Sequence, residues 1–259
     1  MYIDTHCHLH DPKFEDVNSV VEEYLKCGVS LAIDMGCCAE TSKIGKELSE
    51  KFPSVYFASG CHPSDSDGFN EQELQTIASL ADHSKCVAIG EIGLDYYWEP
   101  YDKEKQYKCF LDQISLAYEK KLPICIHSRN ATADMLKIIK DNKSKLIYGG
   151  VMHCFSGSVE TAREVLKAGL YVSFAGPLTF KNARGLIDVA KFVPDDMCLT
   201  ETDCPYLAPH PLRGTINSPK NVPIITATLA SIKGKDTLEF ARTIMSNAKN
   251  LFKKLVNTK

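Results

Sequence analysis

Eight short apolar runs recur along the chain at near-even spacing, and this spacing limits the possible fold more than any other feature. The runs are residues 2–5, 29–35, 55–60, 86–91, 123–127, 146–153, 170–173 and 197–201. Successive run ends lie 20 to 36 residues apart, room for one strand and one helix each. The segments between them carry helical periodicity. Phe14, Val17, Val20, Val21, Tyr24 and Leu25 form one stripe, stopped by Gly28. Tyr107, Phe110, Leu111, Ile114, Ala117 and Tyr118 form a second. Val159, Ala162, Val165 and Leu166 form a third, with Ser158 as N-cap and Gly169 beyond its end. An all-parallel (β/α)₈ barrel typically needs about 250 residues, and the chain has 259. Residues 222–259 would supply the last helices, and no Gly/Pro-rich linker divides the sequence. The reading is α/β: a single-domain TIM (β/α)₈ barrel over residues 1–259.

Such a barrel makes a demand that the sequence can meet or fail. Its active site lies at the C-terminal ends of the strands. His6 and His8 follow the first run, in DTHCHL, where alternate residues of an extended strand share a face. His62 follows the third run, and Glu91 ends the fourth in AIGEIGLDYY. His127 ends the fifth in PICIHSRN, His153 the sixth in GVMHCFSG, and Asp203 follows the eighth in LTETDCPYL. Each residue alone reads as a hydrogen-bonded structural group or a cap. Together they read as a metal site, because random placement would put histidines on the far more numerous helix-surface positions. His10 reads as a loop residue, His210 as a loop residue near the mouth, and Cys7, Cys61, Cys154 and Cys204 as small buried packing groups beside the site. Glu201, two before Asp203, should share its face and orient a histidine ligand, and Asp95 has the same role or caps a turn.

Four imidazoles and two carboxylates exceed one four-coordinate zinc ion. They suit two divalent ions, with His6 and His8 on one, His127 and His153 on the other, and Glu91 as bridge because a carboxylate offers two oxygens. Asp203 then binds metal, accepts a proton from the attacking water, or both, so Glu91 and Asp203 are the catalytic candidates. Paired ions activate water for attack at phosphorus or at a carbonyl. Imidazole-rich donors favour zinc, manganese or iron over magnesium, while the oxygen ligands keep magnesium open. Arg129, two past His127, reads as a phosphate clamp. Tyr96, Tyr97, Trp98 and Tyr101 either stack bases at the rim or pack a long loop.

Charge and cysteine content set the outer limits. A formal net charge of −3 argues against electrostatic wrapping of duplex nucleic acid, though not against a narrow site for a few phosphates. There is no signal-peptide pattern and no membrane-length apolar run, so no membrane association is expected. The eleven cysteines contain no Cys-x-x-Cys pair, which points to reduced thiols and a cytoplasmic protein. Nothing calls for an obligate protein partner.

DTHCHL, GCHP, GEIGLDYY, HSRN, HCFSG and ETDCPYL, followed by LAPHPLRG and NSPKNVP, resemble the TatD family of metal-dependent deoxyribonucleases from Ile3 to about Phe252. The resemblance implies a TIM barrel with a two-metal site held by His6, His8, Glu91, His127, His153 and Asp203. It further implies that His62, Arg129 and Arg213 face the scissile phosphate. Where many related barrels bridge their metals with a carbamylated lysine, the matching group here is Glu91. The implied activity is hydrolysis of DNA phosphodiesters, exonucleolytic on single strands or 3′ ends, with DNA as the partner and Mg, Mn or Zn as the cofactor. Two alternatives use the same residues: a carbonyl hydrolase (an aminoacyl-tRNA deacylase or a small-molecule amidase or esterase), and a non-catalytic metal-dependent binding protein.

Overall fold

A computed structural model describes residues 1–255; the last four residues of the expected span 222–259 lie outside the described residues. Eight parallel strands run in the order β1 to β8, each paired with its sequence neighbour. They are β1 (Tyr2–Cys7), β2 (Val29–Met35), β3 (Val55–Ser59), β4 (Cys86–Asp95), β5 (Ile124–Arg129), β6 (Gly150–Met152), β7 (Tyr171–Phe174) and β8 (Cys198–Thr200). Outside them lie α1 (Val17–Lys26), α2 (Ala39–Lys51), α3 (Glu71–Ala81), α4 (Lys103–Lys120), α5 (Thr132–Asp141), α6 (Val159–Lys167), α7 (Arg184–Phe192), α8 (Val222–Ile232) and α9 (Thr237–Leu251). The expected TIM barrel is the observed fold.

The seam between β1 and β8 is fastened largely by bonds that flank the strands. Thr5 Oγ1 donates to the Thr200 carbonyl at 3.1 Å, and the buried Asp4 carboxylate accepts from the Thr202 amide at 2.9 Å. The Asp203 amide donates to the His6 carbonyl at 3.0 Å. Barrel closure therefore brings Asp203 beside His6 although 197 residues separate them in the chain.

The strands are buried on both faces, as a helix-covered parallel sheet requires. One core cluster joins Phe57, Phe110, Phe174 and Phe240 between barrel and helices; a second packs Cys7, Cys204, Val21 and Tyr24 beneath α1. Each fully buried side chain of this size contributes about 1.5–3 kcal/mol. The helix stripes mostly face inward, but Leu25 and Tyr118 are 46% and 43% exposed, so two stripe members turn to solvent. Ser158 caps α6 by accepting from the Thr161 amide at 3.3 Å, and Gly28 stops α1 with φ of +81°.

Two strand boundaries differ from expectation in ways that shape the site. The sixth strand is short because Leu146, which closes a 3₁₀ turn at Lys143–Lys145, and Gly149, with φ of +83°, occupy the start of its apolar run. The fourth continues past Glu91 to Asp95. Its pairing with β5 slips between Ile89 and Ile92, where three steps on β4 face two on β5. β1 slips in the same sense between Asp4 and Cys7. Such bulges re-aim side chains and sit beside active sites; here they fall at Glu91 and His6. Beyond the bulge, Gly93 has φ of +147°, and a Cβ there would lie 2.0 Å from the His127 carbonyl oxygen. Only glycine lets β4 approach β5 closely enough to set Glu91 against His127.

Candidate metal centre

The C-terminal mouth of the barrel opens into a cavity of about 610 Å³. His8, Glu91, His127, His153 and Asp203 line it, and His6 lies fully buried beneath. The other five expected metal ligands gather around Glu91. Glu91 Oε2 lies 3.3 Å from His6 Nε2 and 3.6 Å from His8 Nε2. Glu91 Oε1 lies 2.9 Å from His127 Nδ1 and 2.8 Å from His153 Nε2. Asp203 Oδ1 joins the first group, 3.3 Å from His8 Nε2 and 3.7 Å from His6 Nε2. Glu91 thus presents one oxygen to each of two donor sets.

The outer partners of the imidazoles say which nitrogen carries a lone pair. His8 Nδ1 donates to the Met35 carbonyl at 3.0 Å. His153 Nδ1 donates to Glu201 Oε1 at 3.2 Å, and His127 Nε2 donates to Asp95 Oδ2 at 2.9 Å. His6 Nδ1 sits 3.3 Å from Cys125 Sγ. In the neutral rings the other nitrogens, all aimed at Glu91, are acceptors. His6 Nε2 and His8 Nε2 face each other at 3.3 Å, and His127 Nδ1 faces His153 Nε2 at 3.2 Å. Lone pairs and carboxylate oxygens packed this closely repel unless positive charge sits among them, so the residues fit divalent metal ions. Glu201 and Asp95 orient histidines as the sequence predicts, a pattern common around metal ligands.

Electrostatics point the same way. Burial opposes ionisation of Glu91, but His153, His6 and His62 outweigh it and hold the carboxyl well below its usual range. Asp203 is likewise held low against burial, chiefly by the neighbouring His8 ring. Burial works against a charged His153, yet the Glu91 carboxylate and the bond to Glu201 raise its pKa well above the ordinary value. The centre holds anions and attracts cations.

His62 behaves differently from the ligands. Its Nδ1 accepts from the Ser64 amide at 3.1 Å, so Nε2 carries the proton and points towards Glu91 Oε1 at 3.7 Å. Burial lowers its pKa to about 3. It is a neutral donor at the edge of the centre. Arg129 also lines the cavity, its guanidinium 3.6 Å above the Tyr97 ring and 5.3 Å from that of Trp98. Tyr97 and Trp98 are 48% and 61% exposed, whereas Tyr96 and Tyr101 stack on each other at 5.2 Å and pack the loop. Arg213 stands apart: it lies over Phe180 at 4.2 Å and does not line the cavity. His210 is exposed and also stands outside it.

One expectation for the cysteines needs correction. Cys154 is not a packing group but lines the cavity. His10 lies in the turn after β1, as expected, and is held there: its Nδ1 bonds Asp34 Oδ2 at 3.0 Å, and its ring meets that of His8 edge-on at 5.5 Å. The signal was present, since His10 continues the alternation of His6 and His8, and Asp34 interrupts the apolar run VSLAIDM.

Comparison with known proteins agrees with this geometry. The family described as TatD related DNase matches residues 3–253. The metal-dependent hydrolase YabD of Bacillus subtilis is 42% identical over 98% of this chain and 99% of its own length. The metal-dependent hydrolase YcfH of Escherichia coli is 36% identical over 96% and 95%. The crystal structure of the TatD homologue YJJV from Escherichia coli superposes with a TM-score of 0.92 at 29% identity, covering 97% of this chain and 98% of that one. An organophosphorus hydrolase from Deinococcus radiodurans, at 12% identity and a TM-score of 0.67, shares the fold alone. From ligand geometry, fold and sequence together, the chain belongs to the TatD-related DNase family and is a metal-dependent hydrolase.

Proposed function

We propose that the chain hydrolyses DNA phosphodiester bonds at a two-ion centre bridged by Glu91, working on single strands or 3′ ends. The division of Glu91 oxygens between His6–His8 and His127–His153 is the observation that carries this reading. Divalent ions bound there would acidify water and neutralise a phosphoryl group. The protein's own groups do the rest. Asp203, the more open carboxylate, takes the proton from the attacking water. His62 donates Nε2–H to a phosphoryl oxygen as charge builds. Arg129 makes no ion pair among the described residues, and its guanidinium offers paired donors to a phosphate. The exposed Trp98 ring beside it suits stacking with an unpaired base, which favours single strands. The free cysteines fit a reducing compartment, and we place the protein in the cytoplasm.

The test is turnover by metal-free protein reloaded with Mg²⁺, Mn²⁺ or Zn²⁺. Substrates are end-labelled single- and double-stranded oligonucleotides, an aminoacyl-tRNA and a neutral carboxylic ester. Metal-dependent shortening of single strands is expected, weakened by Arg129→Ala with metal content unchanged. Cleavage of the ester or the aminoacyl-tRNA alone would replace this reading with a carbonyl hydrolase.

A further inference from the structure

Beside the main centre lies a group of donors that the hydrolytic reading does not use. His10 and Cys37 both line the cavity near its mouth. One nitrogen each from His8 and His10 and the Cys37 sulfur lie within 4.8 Å of one another. The His10 ring is fixed by Asp34, whose carboxylate is fully buried and takes Nδ1 at 3.0–3.1 Å through both oxygens. That leaves Nε2 as the donor atom, and binding of an ion displaces its proton. Cys37 Sγ stands 3.8 Å from His8 Nδ1. His8 Nδ1 already donates to Met35, so His8 remains with the main centre.

We propose that His10 Nε2 and Cys37 Sγ form a separate site for one thiophilic divalent ion, of the zinc or cadmium class, at the mouth of the cavity. Three physical points support it. Imidazole and thiolate are the donors such ions select over magnesium or manganese. Zinc bonds of about 2.3 Å to sulfur and 2.0–2.1 Å to nitrogen put two donors roughly 3.5 Å apart in a tetrahedron, and a His10 ring nitrogen and the Cys37 sulfur lie within 4.8 Å of each other. A carboxylate behind the histidine is the usual orienting partner of a metal-bound imidazole. With only two protein donors, water completes the coordination, and the ion is exchangeable rather than structural. An ion at this place narrows the approach to Glu91 and Asp203, so excess soft metal slows whatever hydrolysis the centre performs. Binding of the ion does not depend on which bond is cut.

The experiment titrates full-length protein, its main centre first saturated with Mn²⁺, with Cd²⁺. The readouts are bound cadmium by equilibrium dialysis and thiolate-to-cadmium charge-transfer absorption in the ultraviolet. Wild type is expected to bind one more equivalent, with the absorption band, than Cys37→Ser. His10→Gln should weaken that equivalent roughly tenfold or more. Cys38→Ser should keep it, since Cys38 Sγ faces Thr41 Oγ1 at 3.5 Å. Cys37→Ser should also resist inhibition by added Cd²⁺ while turning over normally without it. Equal cadmium binding and equal absorption in wild type and Cys37→Ser would overturn the site. Equal inhibition of the two would overturn its occluding role. Loss of all hydrolysis in wild type would count against the proposed function and leave the binding result intact.

Discussion

Asp203→Asn separates the role of this carboxylate from that of Glu91. The residue sits at φ of +55° with its amide bonded to the His6 carbonyl at 3.0 Å. Asparagine tolerates that backbone region better than other non-glycine residues, so the seam at β8 should survive. One oxygen remains near His8 Nε2, now 3.3 Å from Oδ1. What is lost is charge and basicity. Asp203 is 15% exposed at the side chain against 4% for Glu91, so it is the carboxylate a water molecule in the cavity can reach. Loss of a positioned general base costs about 10²–10⁴ in rate, or roughly 2.7–5.4 kcal/mol of barrier. The assay is single-turnover cleavage of a labelled single-stranded oligonucleotide, with metal content measured on the same preparation. Retained metal, retained DNA binding and a loss of at least about 10² in rate are expected. A variant that keeps its metal and cleaves at near wild-type rate would refute the assignment. One that loses metal as badly as a Glu91 variant would make Asp203 chiefly a ligand.

Two further outcomes follow from the packing. Gly93→Ala should destabilise the fold by more than about 2 kcal/mol, read as a lowered denaturant midpoint, because its Cβ would meet the His127 carbonyl oxygen at 2.0 Å in a backbone region that disfavours side chains. Burial opposes protonation of His10, but Asp34 overcomes it and raises the pKa from 6.5 to about 10. The folded state therefore binds this proton more tightly, and the stabilisation is complete below pH 6.5 and lost as pH rises towards about 10. Denaturant unfolding of metal-free protein should show wild type losing stability relative to His10→Gln across that window; parallel pH curves would contradict the pairing.

Much of this centre could be read in the sequence because a barrel converts strand-end position into spatial neighbourhood. The placement of His6, His8, His127, His153 and Asp203 after apolar runs was enough to predict their convergence. What stayed hidden has identifiable physical causes. Glu91 was legible as the bridge, but its position inside β4 rather than at its end was not, because the bulge that aims it leaves no mark in residue periodicity. The His10–Asp34 pair depends on contact between β2 and the turn after β1, so the sequence marks Asp34 as unusual without naming its partner. Arg213 belongs to a loop whose path no local pattern specifies, and it rests on Phe180. Tyr96 and Tyr97 are adjacent in sequence yet divide between loop packing and the rim.

The bridge formed by Glu91 is the central claim, and counting bound ions tests it most directly. Metal-free wild type and Glu91→Gln should be titrated with Mn²⁺, a hard ion that the His10–Cys37 pair does not favour, and bound metal measured per chain. Two ions in wild type and one or none in Glu91→Gln, with single-strand cleavage abolished in the variant, is the result this account predicts. A single ion in wild type, or two tightly held ions in Glu91→Gln, would contradict it.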